Sequence, residues 1–381
     1  MNFRLCKATI HAIFKGAILK RLSDRTTFCE LGSTTYKLPA DHPTCDVSVV
    51  IPTFNRPSFL HRALSSVLAQ TAIPTQVIVI DDCSGDMETL ATESVIEKFS
   101  ESLNLFLIRN DANRGANYSR NRGIDAATGQ YIAFLDSDDF WMPDKLARQI
   151  ELIEQSAKRD DAILCVTGRY RVSSDTGKII SRQLVRSSFS SDAIIRSNFI
   201  GTLSSVLVTT SVARAVRGFD ETLPACQDWE FFIRIAKNVK FLSVRAPLCV
   251  YVEHHEDRIS ASNRKRLQGH FLIRRKYLKQ SEVDLSNFYR NVGEELQLLG
   301  KERLATEYYI QAVTQYVLPV WKRALLQMSL RAYYTWRRPP RLKANRYLSY
   351  KKALTKFARS ADGRSQLQRD HDFIKTALQQ W

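Results

Sequence analysis

Tyr131-Ile-Ala-Phe-Leu-Asp-Ser-Asp-Asp-Phe-Trp-Met-Pro143 is the stretch that decides the fold. A short apolar run stops at three carboxylates, Asp136, Asp138 and Asp139, within four positions. A strand that buries its apolar residues and then presents Asp136 and Asp138 at its carboxyl end brings two hard oxygen ligands near one point. Mg²⁺ and Mn²⁺ suit such ligands, taking one or two protein carboxylates and completing the shell with substrate phosphate oxygens. Taken alone, Asp-Ser-Asp-Asp also fits an acidic surface turn. The neighbouring segments decide between the two readings.

Upstream, Val47–Ile51 is a β-branched run that stops at Pro52, and Ser58–Gln70 carries apolar residues at helical spacing. Val77–Ile80 reads as a buried strand ending in Asp81-Asp82-Cys83-Ser84-Gly85-Asp86, a turn signal. A helix over 88–100, a strand over 105–109, a polar loop and a helix over 118–127 lead to the 131–135 strand. Near-continuous apolar strands alternating with helices predict a mostly parallel α/β sheet with helices on both faces. Ligands of such sheets sit beyond the carboxyl ends of the strands. Pro52-Thr53, Asp81-Asp82 and Asp136–Asp139 all lie at such ends, so one crevice is expected to collect them.

Downstream, Ile163–Thr167, Ser204–Val208, Phe241–Val244 and Cys249–Val252 read as strands and Gln227–Ala236 as a helix. Strand signals disappear after about residue 265. Residues 286–330 read as two or three antiparallel helices, with a stop at Gly300 and a break at Pro319.

The 381 residues suffice for one large domain and an accessory region. Seven scattered cysteines with no Cys-x-x-Cys pair argue against a zinc site and a disulfide framework, and point to a reducing compartment. No apolar run approaches the roughly 18 residues of a membrane span. The apolar pieces around Ile10–Leu19 are interrupted by His11 and Lys15, so no cleaved signal peptide is expected. The net charge of +17 is unevenly placed. Residues 1–45 carry 7 basic and 3 acidic side chains, residues 46–264 carry 25 and 27, and residues 265–381 carry 24 and 9. These shifts divide the chain into a basic extension (1–45), a near-neutral α/β domain (46–264) and a basic helical region (265–381).

Six segments in order resemble the inverting family 2 glycosyltransferases, whose fold is the nucleotide-diphosphosugar transferase (GT-A) fold. They are Val-Ser-Val-Val-Ile-Pro-Thr-Phe-Asn-Arg (47–56), Val-Ile-Val-Ile-Asp-Asp-Cys-Ser (77–84) and Asn-Arg-Gly-Ala-Asn-Tyr-Ser-Arg-Asn-Arg-Gly (113–123). Gly-Gln-Tyr-Ile-Ala-Phe-Leu-Asp-Ser-Asp-Asp (129–139), Gly-Phe-Asp-Glu (218–221) and Gln-Asp-Trp-Glu-Phe-Phe-Ile-Arg (227–234) complete the set. The resemblance covers about residues 46–260. It implies a nucleotide-sugar donor, a UDP-sugar first among them, and a hydroxyl acceptor on a glycan or lipid-linked glycan.

The resemblance also implies roles. Asp82 reads the base, with Thr53 beside it; Pro52, Asn55, Asp81 and Ser137 line the donor crevice, and Arg120 approaches the nucleotide or pyrophosphate. Asp138 is the leading ligand of Mn²⁺ or Mg²⁺, Asp136 serves the ribose or the metal, and His254 or His255 touches the diphosphate or metal. The family's Glu-Asp pair at a helix start falls on Gln227-Asp228, which makes Asp228 the general base. Position 227 has lost a carboxylate.

Residues 321–360 hold 12 Lys/Arg, no acidic residue and six interleaved Trp/Tyr. Together with the basic amphipathic stretch Phe3–Leu22 they fit an anionic membrane surface. A peripheral position on the cytoplasmic face of the membrane is therefore expected. No RNA-recognition motif accompanies the charge, and nucleic acid is not an expected partner. Two rivals remain: a nucleotidyltransferase, which would need a Gly-rich phosphate loop before the first helix, and a non-catalytic membrane- or RNA-binding protein built on a decayed transferase. Asp82, Asp138 and Asp228 speak against decay.

Overall fold

In the central strands, alternate side chains enter two different cores, which is why those strands read as unbroken apolar runs. Strand β1 (Thr44–Thr53) sends Val47, Val49 and Ile51 to one face and Val50 to the other. Strand β2 (Ile73–Asp81) sends Val77 and Val79 one way and Ile78 and Ile80 the other, and β4 (Tyr131–Phe134) divides Ala133 from Ile132 and Phe134. The period of two is the pleat itself. This computed structural model describes residues 43–156, 158, 161–186, 191–253, 262–277 and 285–317. Residues 1–42, His254, His255 and the tail from 318, including the basic stretch 321–360, lie outside them.

Helices α1 (Pro57–Leu68), α2 (Asp86–Ser100) and α4 (Lys145–Ser156) cover the first face through Leu60, Leu64, Val67, Phe99, Leu146 and Ile153. Pro57 opens α1, where its fixed φ fits and its missing N–H costs nothing. Helices α3 (Ala116–Ala126), α6 (Thr210–Ala215) and α7 (Gln227–Ile235) cover the second face, with Ile124, Val212, Phe231 and Phe232. Gly123 sets how closely α3 approaches: a Cβ there would lie 2.4 Å from a Val50 methyl and 3.0 Å from Ile80.

Strand β3 (Leu105–Arg109) is the edge of a nine-stranded sheet in the order β3-β2-β1-β4-β8-β6-β9-β5, with β7 (Ile179–Gln183) paired to β6. The first four strands are parallel, as the alternation of strands and helices requires. Strand β8 (Val206–Thr209) runs antiparallel to both β4 and β6 (Ile163–Ser173). Strand β9 (Lys240–Glu253) is parallel to β6, and β5 (Phe140–Trp141) is antiparallel to β9. The segments expected as two strands over 241–252 are therefore one strand. Pro247 lies within it, opposite Gly168, where the β6–β9 register shifts. A proline in a sheet interior is tolerated at such irregularities. The strand expected at 204–208 starts later, because Leu203–Ser205 form a single 3-10 turn.

Past β9 only helices occur among the described residues. Helix α8 (Asn263–Tyr277) seats Ile273 in the second core, and Arg266 pairs with Glu295 of α9 (Ser286–Leu298) at 2.8 Å. Helix α10 (Glu302–Val317) follows the break at Gly300, whose φ of +70° is the left-handed turn that ends α9. Among the described residues no helix is long and apolar enough to cross a membrane.

Candidate active site

The carboxyl ends of β1, β2 and β4 do converge. Thr53 and Asp81 are register partners, and the Asp82 N–H donates to the Thr53 carbonyl at 2.9 Å. Pro52 is buried beside Ile80, its partner across the strands. The Thr53 Oγ1 is buried and has no hydrogen-bond partner among the described residues. A buried hydroxyl without a partner carries a desolvation cost that a ligand can relieve.

The two adjacent acids of β2 do different work. Asp81 accepts from the Ser84 N–H at 3.2 Å and from the Ser84 hydroxyl, and lies 3.7 Å from the Arg109 guanidinium. It closes the turn after its own strand. Asn55, exposed and at φ +52°, donates its N–H to Ser84 Oγ at 2.8 Å and accepts from the Gly85 N–H at 2.9 Å. This lattice ties the β1 turn to the β2 turn. Asp82 holds a different loop. It accepts from Asn110 Nδ2 at 2.7 Å and from the N–H groups of Arg114 at 3.0 Å and Gly115 at 2.7 Å. A carboxylate offers about four acceptor positions, so one remains for another donor.

Three acids follow β4. Asp136 is bound by Arg120 Nη2 at 2.6 Å, so the guanidinium expected at the pyrophosphate is engaged with the strand-end carboxylate. Arg120 also lies 5.6 Å from the Phe219 ring, and its Nε is buried with no hydrogen-bond partner among the described residues. Ser137 is buried. Asp138 accepts from Arg56 Nη1 at 3.2 Å, while Arg62 Nη2 donates to its main-chain carbonyl at 2.7 Å. Asp139 points into the interior, where it accepts from Ser204 Oγ at 2.7 Å and the Val252 N–H at 3.3 Å. It fastens β4, β8 and β9 together and is absent from the crevice surface.

Asp228 lies in the first turn of α7, where the helix dipole favours a carboxylate. Its Oδ2 accepts from Asn198 Nδ2 at 2.8 Å and its Oδ1 from the Trp229 N–H at 2.8 Å. Burial pushes its pKa above the ordinary aspartate range, and these two donors and the Arg120 charge pull it back only in part. Asp136 acts in the raising direction. The charges of both Arg120 and Asp136 therefore act on Asp228. Asn198 carries no sequence signal, because it sits in a loop and meets Asp228 only in the fold. Trp141 and Trp229 are core residues: their indole N–H groups donate to Ser204 O at 2.7 Å and Ile194 O at 2.6 Å.

Asp136 and Asp138 fit the need of Mn²⁺ or Mg²⁺ for one or two carboxylates. Among the described residues no third metal-binding side chain joins them. A cation held there would complete its shell with water and donor phosphate oxygens, while His254 and His255 lie outside the described residues.

The family model described as Glycosyl transferase family 2 matches residues 48–214. The amylovoran biosynthesis glycosyltransferase AmsB of Erwinia amylovora is 31% identical over 210 residues, 54% of this chain and 68% of that protein. An uncharacterized glycosyltransferase of Haemophilus influenzae is 26% identical over 270 residues, 69% of this chain and 88% of its own. Among solved structures, S. aureus TarS 1–349 in complex with UDP-GlcNAc superposes with a TM-score of 0.54 at 20% identity, covering 75% of this chain and 87% of that one. That likeness gives the fold as GT-A-like. The matching family model and the 31% identical relative place the chain in glycosyltransferase family 2.

Proposed function

We propose that this protein transfers a hexose or N-acetylhexosamine from a UDP-sugar to a hydroxyl of a glycan or lipid-linked acceptor, with inversion, in surface polysaccharide or glycolipid assembly. The observation that carries this reading is the gathering of Asp82, Asp136 and Asp138 beyond the carboxyl ends of β2 and β4, with Arg120 bound to Asp136, a pair whose charges also act on Asp228. A relative is named for amylovoran biosynthesis, and a protein of the same fold is described in complex with UDP-GlcNAc, which support this reading.

In this reading the unpaired Thr53 hydroxyl and the open acceptor position of Asp82 receive the base. Asp136 and Asp138 would hold the divalent cation, which would neutralise charge on the departing diphosphate. Asp228 accepts the proton of the acceptor hydroxyl as its oxygen bonds to the anomeric carbon. The bond from that carbon to the diphosphate oxygen breaks, its electron pair leaves with UDP, and attack from the opposite side inverts the centre. A raised pKa suits a base that must later release its proton.

The division at residues 45 and 264, with a basic tail on the cytoplasmic face of an anionic membrane, belongs to the same proposal. A screen of UDP-sugars for Mn²⁺-dependent donor hydrolysis by the full-length protein tests it. Release of UDP from one or more of them is expected. Absence of hydrolysis and of UDP binding would overturn the reading.

A further inference from the structure

Two guanidinium groups flank the Phe59 ring, and both reach Asp138. Arg62, nearly buried, donates to the Asp138 main-chain carbonyl at 2.7 Å and also lies 5.5 Å from the Phe140 ring. It fixes where the turn sits. Arg56 is different. It precedes α1 as its N-cap, its side chain is 28% exposed, and its Nη1 lies 3.2 Å from the Asp138 carboxylate, itself 14% exposed. Charge pairs with this much solvent access are held weakly.

A guanidinium and a divalent cation on the Asp138 carboxylate compete, because both are positive and repel each other at one anion. A diphosphate introduces negative oxygens next to the same carboxylate. The planar fork of arginine matches phosphate oxygens in pairs, which a carboxylate-bound arginine can reach by side-chain rotation. We propose that Arg56 exchanges partners: it occupies Asp138 in the free protein, yields that carboxylate to the divalent cation, and turns to the diphosphate of the donor. The exchange keeps Asp138 neutralised at every stage and couples cation entry to nucleotide entry. It rests on the reading of Asp138 as a metal ligand.

The test is two binding titrations on the full-length protein: Mn²⁺ alone, followed by the paramagnetic resonance of free Mn²⁺, and UDP in saturating Mn²⁺ by calorimetry. Arg56→Gln is expected to bind Mn²⁺ roughly two- to fivefold more tightly, the scale of a partly exposed ion pair. The same variant is expected to bind UDP about tenfold more weakly, the scale of one charge-assisted hydrogen bond. Effects of opposite sign are the signature, since general damage to the crevice weakens both. Arg56→Lys keeps a cation beside Asp138, so its Mn²⁺ affinity should stay near that of the parent while UDP binding still weakens. Asp138→Asn separates the two levels. If it leaves Mn²⁺ binding intact, the metal reading fails and the exchange with it. If it removes Mn²⁺ binding while Arg56→Gln changes neither ligand, or weakens both, the metal reading stands and the exchange is overturned.

Discussion

The side-chain amide of Asn198 donates to Asp228 Oδ2 at 2.8 Å, and the same amide accepts the Gly201 N–H at 3.0 Å through its oxygen. The second bond fixes which way the amide points, so the donor end faces the carboxylate. Asn198→Ala removes a donor that favours ionised Asp228, so its pKa, already raised by burial, rises further. A hydrogen bond to a charged group is worth about 1.5–3 kcal/mol, which corresponds to roughly one to two pH units. The acid limb of kcat/KM for transfer should move to higher pH by that amount, with UDP affinity unchanged. An acid limb that stays in place would remove Asn198 from the chemistry.

Asp228→Asn should abolish transfer, by at least about 10² in rate, because an amide keeps the shape but cannot take a proton. Donor binding should survive, since Asp228 is proposed to meet the acceptor hydroxyl and not the nucleotide. Turnover measured beside UDP calorimetry separates the roles. Loss of UDP affinity together with turnover would make Asp228 a nucleotide ligand.

Asp138→Ala should lower transfer by about 10² or more, the scale of losing a main electrostatic stabiliser of the transition state. Excess chelator should reproduce the loss in the parent protein. Full activity in chelator would contradict the metal assignment.

Much of the crevice is readable in the sequence because the strands that build it are buried on both faces. Val47–Ile51, Val77–Ile80 and Tyr131–Leu135 have no solvent side, so apolar continuity marks them and their ends mark the site. The later strands follow another logic. Arg245-Ala246-Pro247 reads as a break, yet β9 runs through it because β6 bulges at Gly168 and asks no regular ladder bond of the proline. Among the acids, type is visible but direction is not. Asp138 and Asp139 are neighbours in sequence, and one meets Arg56 at the crevice while the other is fully buried against Ser204. Arg120 shows the same limit: its charge suits a phosphate, but in the fold it binds Asp136. Asn198 was invisible because its partner is brought to it only by the docking of α7.

Glu230 tests how α7 is held. It is almost fully buried, binds Arg234 at 2.8 Å and accepts from the Tyr277 hydroxyl of α8 at 2.6 Å. Its removal takes the carboxylate from Arg234, whose side chain is 23% exposed, and leaves the Tyr277 hydroxyl without its acceptor, so stability falls. Glu230→Ala should therefore lower the unfolding midpoint in urea markedly, whereas Glu302→Ala at the start of α10 should have little effect. Equal midpoints for the two variants would show that the Tyr277–Glu230 hydrogen bond does not hold α8 to α7.

The basic tail makes the last claim on function. Residues 321–360 bring 12 positive side chains, no negative one and six Trp/Tyr residues, and they lie outside the described residues. Each basic side chain near an anionic lipid surface contributes about 1 kcal/mol, and aromatic residues anchor at the interface. Full-length protein should co-sediment with anionic vesicles and much less with neutral ones. Binding should fall as the Debye length shrinks from about 10 Å at 0.1 M salt to about 3 Å at 1 M. A chain ending at residue 320 should leave the vesicles while still hydrolysing donor, because the carboxylates of the crevice come from the sheet. Equal binding to neutral lipid would rule out an electrostatic tether. RNA binding without lipid binding would give the tail a different partner, one the transferase crevice does not explain.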